Sequence, residues 1–157
     1  MADGFVSDDF EGLYHRELAT TVRLAHLLTG SNAAADDIAH EAFLKVRDRW
    51  ESIVNPGAYL RVVAVNLCRN WHRSNRRRVA REQRAASVPR TGADDPAIDV
   101  ELLDLVDRLP FRQRTVLVAR YWLDLPEAEI AELVGCRPGT VKSLASRGLD
   151  SLRKDLS

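Results

Sequence analysis

Cysteine occurs only twice in this 157-residue chain, at Cys68 and Cys136. Two isolated cysteines cannot build a disulfide framework, and such sparing use suits a reducing compartment. No apolar run is long enough to span a bilayer, so membrane insertion is not expected. The opening MADGFVSDDF has neither a basic start nor an apolar stretch, which argues against secretion and for a cytoplasmic protein. The chain also lacks a glycine-rich phosphate loop, a nucleophile elbow and paired catalytic carboxylates. Cys68 and His72 stand four residues apart and could share a helix face, but no third or fourth ligand is evident nearby. His15, His26 and His40 show no ligand spacing. Neither an enzyme, a metal site nor a cofactor is expected.

What is present is 45% apolar and 29% charged, a globular composition. The formal net charge is zero, from 23 basic and 23 acidic residues, but the charges are segregated. Residues 1–60 carry five basic and ten acidic side chains. Residues 61–84 carry eight arginines (Arg61, Arg69, Arg73, Arg76, Arg77, Arg78, Arg81, Arg84) against the single acid Glu82. An acidic stretch and a mildly basic end follow. Such asymmetry points to a polyanion partner for part of the chain.

Helix signals dominate and no alternating strand stands out, so the chain is expected to be all-α. Asp8 or Asp9 can cap a first helix ending at Thr29-Gly30, with Phe10, Leu13, Tyr14, Leu18, Val22, Ala25 and Leu28 inward. Asn32 can cap a second helix to about Trp50, with Ile38, Ala42, Phe43 or Leu44, and Val46 inward. Asn55-Pro56 opens a long third helix with Leu60, Val63, Leu67 and Trp71 as its inner stripe. The segment Ala85–Ala97, with two prolines, a glycine and paired aspartates, reads as a flexible acidic linker. Periodicity resumes over Ile98–Leu109, and Pro110 opens a helix carrying Val116, Leu117, Ala119, Tyr121 and Trp122. Two small helical modules are thus expected, over 8–84 and 98–157, with the linker at 85–97.

Three segments carry chemistry. In Glu127–Arg153, small Ala131, turn residue Gly135 and apolar Val141 fall at helix-turn-helix spacing, and Pro138 suits the first position of the second helix. Lys142 and Arg147 can meet phosphates, and Thr140 and Ser143 can approach bases or backbone. The plainer possibility is an antiparallel helix pair with a solvated basic face. On the third helix Arg69, Arg73, Arg76 and Arg77 follow helical steps, interleaved with Asn66, Trp71 and His72. Eight arginines exceed what a helix C-terminus needs, which favours nucleic acid. Trp71 itself reads more simply as core. The second helix is amphipathic and acidic. Asp36 and Asp37 suit its first turn, while Glu41 could join a protein-docking face.

With these segments in order, the chain resembles the small extracytoplasmic-function group of bacterial sigma-70-type sigma factors, especially the actinobacterial-type subset labelled SigE-like. AAADDIAHEAFLKVRDRW (33–50) is similar to the helix that docks on the β′ clamp helices of core RNA polymerase. NPGAYLRVVAVNLCRNWHRSNRRR (55–78) is similar to the helix that opens and reads the −10 promoter element. LPFRQRTVLVARYWLDLPEAEIAELVGCRPGTVKSLASRGLDSLR (109–153) is similar to the module that binds the −35 element and the β flap. The resemblance implies that Asn66 lines a pocket for a flipped base shaped by the loop Trp50–Asn55, and that Arg69, Arg73, Arg76 and Arg77 contact strand backbone. It implies polymerase docking for Asp37 and Glu41, and groove contacts for Arg137, Thr140, Lys142, Ser143 and Arg147. An anti-sigma protein is the regulator it implies. Arg137-Pro138 replaces a more usual small polar pair, and Leu144 stands where arginine or glutamine is frequent, so an altered −35 preference is expected. The rival reading is a free-standing helix-turn-helix regulator that dimerises on a palindrome.

Overall fold

The computed structural model describes residues 9–82 and 100–156, with backbone alone for 76–82, 100 and 102. The linker expected at 85–97 lies outside the described residues. Among the described residues, seven α-helices form two modules: α1 (Phe10–Thr29), α2 (Asn32–Asp48) and α3 (Pro56–Glu82), then α4 (Val100–Asp107), α5 (Phe111–Tyr121), α6 (Glu127–Val134) and α7 (Pro138–Leu156).

Local signals place the ends of α1. The Asp9 carboxylate accepts from the Gly12 N–H at 2.8 Å, and Gly30 closes the helix at φ 77° with its N–H on the His26 carbonyl. The apolar stripe is wider than its sequence period. Leu13, Ala25 and Leu28 are buried as expected, but every residue from Leu24 to Gly30 is buried as well. A helix end buried all round has neighbours on both sides, and here α4 and α5 cover the face that α2 and α3 leave open.

The cap of α2 is Ser31, not the expected Asn32. Ser31 is extended, and its Oγ accepts from the Ala34 N–H at 3.1 Å, while Asn32 is already helical. The helix stops at Asp48, and a short 3-10 turn, Trp50–Ser52, follows. Phe43 rather than Leu44 faces the core. Phe10, Tyr14, Phe43 and Trp50 form an edge-to-face aromatic cluster with ring centres 5.0–6.2 Å apart in the Tyr14–Phe43, Phe10–Trp50 and Phe10–Phe43 pairs. This cluster ties the turn after α2 to the start of α1. Asn55 caps α3 through its side-chain oxygen, 3.2 Å from the Ala58 nitrogen. The inner stripe of α3 runs through Leu60, Val63, Ala64 and Cys68, so Leu67 and Trp71 sit on its rim, half-buried.

In the second module, Val116, Leu117 and Ala119 are buried, but Tyr121 and Trp122 are exposed, contrary to expectation. The chain leaves α5 there, turning through Asp124 at φ 52°, and Leu123 and Leu125 pack back instead. The helix-turn-helix forms as read. Gly135 takes φ 76° and donates to the Ala131 carbonyl, while Ala131 and Val141 are buried between the helices. A Cβ on Gly148 would lie 2.8 Å from Leu117 Cδ1, so α7 approaches α5 closely at that residue.

Two glycines on α7 test this packing. Gly139 has open space around it, and Gly139→Ala is expected to stabilise by up to about 1 kcal/mol through helix propensity. Gly148→Ala gains the same propensity, but overpacking of about 1–3 kcal/mol should make it a net loss. Urea midpoints of the two variants check the difference. A Gly148→Ala protein as stable as Gly139→Ala would remove the close-approach argument.

Candidate nucleic-acid interface

One surface is built by α7. Val141, Leu144, Ala145 and Gly148 recur at helical steps and are buried, leaving Lys142, Ser143 and Arg147 exposed on the opposite face. Thr140 is half-buried, and Arg137 is exposed in the turn just before the helix. Cations and a hydroxyl thus share a solvent face whose inner side is fixed by apolar contacts. Such a helix can enter a groove of duplex DNA. Leu144 belongs to the core and presents nothing to a base.

The second surface lies on α3. Asn66 and Arg73 are exposed, while Arg69 is half-buried. Arg69 Nη1 donates to Asn66 Oδ1 at 3.0 Å, and the Arg69 guanidinium sits 5.7 Å from the centre of the Phe111 ring. Burial holds Arg69 below the usual arginine range, with Arg73 and Arg112 adding like-charge repulsion. Arg76 and Arg77 lie on α3, with only their backbone described. Beside the start of this helix, a cleft of about 580 Å³ is lined by Arg16, Glu17, Trp50, Ile53, Val54 and Asn55, among others. The loop expected to shape a base pocket therefore borders a real depression.

A third surface joins α2 and α3. Asp37 and Glu41 are one helical turn apart and both exposed. They line a shallow groove with Ile38, Leu67, Asn70 and Trp71. Trp71 packs half-buried against the core, as its sequence context favoured, and its open edge lines this acidic groove.

The Cys68–His72 pair does not present ligand atoms together. Cys68 is fully buried, and burial pushes its thiol up to about 12, offset in part by Arg114. The His72 Nε2–H donates to the Leu28 carbonyl, which fixes the tautomer at that nitrogen. Among the described residues no group of three or more histidines, cysteines or acids is arranged to hold a metal, and no helix is long and apolar enough to cross a membrane.

Sequence reasoning missed the residues that join the modules. Arg114 is 1% exposed. Its Nε donates to the Leu27 carbonyl of α1 at 2.6 Å, and its Nη1 donates to Asp107 Oδ1 at 2.7 Å. Arg61 on α3 pairs with Glu129 on α6, with Nε 2.8 Å from Oε1, both side chains half-buried. A signal for Arg114 existed: it follows Phe111 by three residues and precedes Leu117 and Val118 at the next turn, on a stripe otherwise apolar.

A helical protein with a helix-turn-helix at one end belongs to the class of DNA-binding proteins. Residues 13–78 match the model of sigma-70 region 2, and residues 99–152 match that of sigma-70 region 4. The chain is 31% identical over 163 residues to an RNA polymerase sigma-E factor of Streptomyces avermitilis, covering 99% of this chain and 89% of that protein. It is 30% identical over 152 residues to the RNA polymerase sigma-E factor of Streptomyces coelicolor, covering 94% and 86%. In fold it is similar to the sigma factor RpoE of Bartonella quintana, solved in complex with the anti-sigma factor NepR, at TM-score 0.79 and 22% identity over 96% of this chain and 98% of that one. The chain belongs to the sigma-70 family as an extracytoplasmic-function sigma factor with regions 2 and 4, a non-catalytic RNA polymerase subunit that directs promoter recognition. The rival reading as a free-standing regulator gives way to this one.

The buried thiol gives a test of the α3 core. Alkylation of the native chain at pH 8 is expected at Cys136 and not at Cys68. Below pH 9 the Cys68 thiol is neutral in both folded and unfolded chains. Between pH 9 and about 12 the unfolded chain ionises first, so stability falls as pH rises through that window. Cys68→Ala should remove up to about 1.4 kcal/mol per pH unit from that slope. Unfolding free energies of both proteins at pH 8 to 11 measure it, and equal slopes would contradict the raised pKa.

Proposed function

We propose that this sigma factor works in the cytoplasm as a two-site promoter reader, with the strand-opening chemistry on α3 and the upstream reading on α7. The carrying observation is the division of α7 into a buried stripe at Val141, Leu144, Ala145 and Gly148 and an open face at Lys142, Ser143 and Arg147. That face, with Arg137 and Thr140, reads the −35 element. Cations position the phosphates, and Thr140 and Ser143 approach the base edges. With Leu144 in the core, the remaining readers are short, so an altered −35 preference follows.

On α3, Asn66 serves the flipped −10 base, and Arg69, Arg73, Arg76 and Arg77 hold strand backbone. Extruding a base costs a few kcal/mol, offset by stacking and hydrogen bonds in a fitted pocket. The exposure of Asn66 on α3, and a cleft bordered by Trp50 and Asn55 at the start of the same helix, support this assignment. Asp37 and Glu41 dock on the β′ clamp helices of core polymerase, and the second module also meets the β flap. Their exposure on one groove edge supports the docking role. The working units are residues 8–84 and 98–157, with 85–97 as linker. An anti-sigma factor regulates the chain, a reading supported by the complex in which the Bartonella quintana sigma factor was solved.

The test is reconstitution with core polymerase. Co-elution and promoter-dependent run-off transcription are expected, and the absence of both would sink the reading. Asn66→Ala should lower open-complex formation about ten-fold while leaving closed-complex binding near wild type, as loss of one base-pocket contact implies. Lys142→Ala should weaken upstream duplex binding across sequences and reduce the salt slope by about one. Equal effects of both substitutions on closed-complex binding would contradict the division of labour.

A further inference from the structure

The loop between α2 and α3 carries an apolar side chain that the fold does not use. Val54 is fully exposed, at 101%, more than any other large apolar residue among those described. A lone exposed valine is ordinary on a protein surface, but this one is held out between two anchored ends. Before it, the Ser52 N–H and Oγ–H both donate to the Arg49 carbonyl at 2.9 Å, and the Trp50 ring packs edge-on against Phe10. After it, Asn55 accepts twice, through its side-chain oxygen from the Ala58 N–H at 3.2 Å and through its carbonyl from the Tyr59 N–H at 3.0 Å. Pro56 then fixes the backbone. Ile53 is half-buried and packs on the core, whereas its neighbour Val54 stands in water.

Two depressions meet at this tip. One, of about 580 Å³, has Arg16 of α1 and Trp50 in its wall. The other, of about 360 Å³, has Arg49, Tyr59 and Val62. Ile53, Val54 and Asn55 border both. Arg16 and Arg49 are exposed, so each depression has a cation that can hold a phosphate beside it. The Val54 side chain has no hydrogen-bonding atom with which to read a base edge, and it is stiff at χ1. What it offers a nucleic acid is apolar contact with the faces of stacked bases. Apolar side chains that enter a base step in this way unstack it. A base drawn out of the stack leaves its neighbours with exposed faces, which an apolar side chain can cover.

We propose that Val54 is a wedge for strand separation: it enters the stack at the step from which the −10 base leaves, and the depressions on either side take up the nucleotides it parts. This role rests on the strand-opening reading of α3 and the loop before it. It gives the loop an action on the duplex itself, ahead of any contact that reads a base.

Stopped-flow opening of a promoter carrying 2-aminopurine in its −10 element, by holoenzyme made from the full chain and core polymerase, tests the wedge. Val54→Ser keeps a small side chain but makes it polar, and opening should slow about ten-fold. Val54→Leu keeps an apolar wedge and should recover to within about three-fold of wild type. A template with a mismatched, premelted −10 element needs no wedge, so the Val54→Ser defect should there shrink below about two-fold. Recovery on that template also shows that the variant is folded. Three results would each overturn the wedge: a duplex opening rate unchanged by Val54→Ser, a Val54→Leu protein as slow as Val54→Ser, or a defect of equal size on the premelted template. The last would place Val54 in base reading or polymerase docking instead. Run-off transcription by the same wild-type preparation separates the two claims. Wild-type initiation with Val54 variants that open duplex at the wild-type rate overturns the wedge alone. Wild-type holoenzyme that initiates on neither template overturns the strand-opening reading and the wedge with it.

Discussion

The molecule depends on what happens at the C-terminus of α1. A helix leaves its last carbonyls without intrahelical partners, and those of α1 are buried, where an unmet acceptor costs on the order of 1–3 kcal/mol. Three donors meet them. Gly30 N–H takes the His26 carbonyl, Arg114 takes that of Leu27, and His72 takes that of Leu28. One donor is local, one comes from α3, and one comes from the other module. The negative end of the helix dipole favours the guanidinium there. The arrangement of the two halves is set around this buried helix end.

From that point the two helices proposed to read DNA acquire different characters. On α7 the inner side is fixed by apolar contacts within its own module, so its outer face is available whatever the neighbouring module does. On α3 the outer face is shared: Arg69 answers to Asn66 on its own helix and to Phe111 across the module boundary. The two helices lie in the stretches that match sigma-70 regions 2 and 4, and the proposed reading gives their faces a common purpose. Their packing gives them unequal independence.

Much of this was legible in the sequence because the signals are local. Asp9, Asn55-Pro56 and Gly135 each specify a helix end through chemistry within three or four residues, and each does so in the structure. Ser31 and Asn32 are adjacent residues of equal capping ability, and only the backbone at Ser31 chose between them. Tyr121 and Trp122 continue an apolar run, but the helix ends beneath them and they turn outward. The contacts between modules were not legible. Arg114 meets a carbonyl 87 positions away and Arg61 meets a carboxylate 68 positions away. A backbone acceptor leaves no trace in residue type, and Glu129 in the first turn of a helix is explained well enough by the dipole. The exposed faces of α3 and α7 followed from periodicity, but the burial of Arg69 under Phe111 did not.

The acceptor that Arg114 finds is a peptide carbonyl, not a side chain. No substitution on α1 that keeps the helix can delete it, whereas a single codon change at Arg114 deletes the donor. The two modules can therefore diverge at different rates across their boundary. The first tolerates almost any residue at Leu27 of similar bulk without losing its half of the bond, and the burden of preserving the contact falls on one arginine in the second.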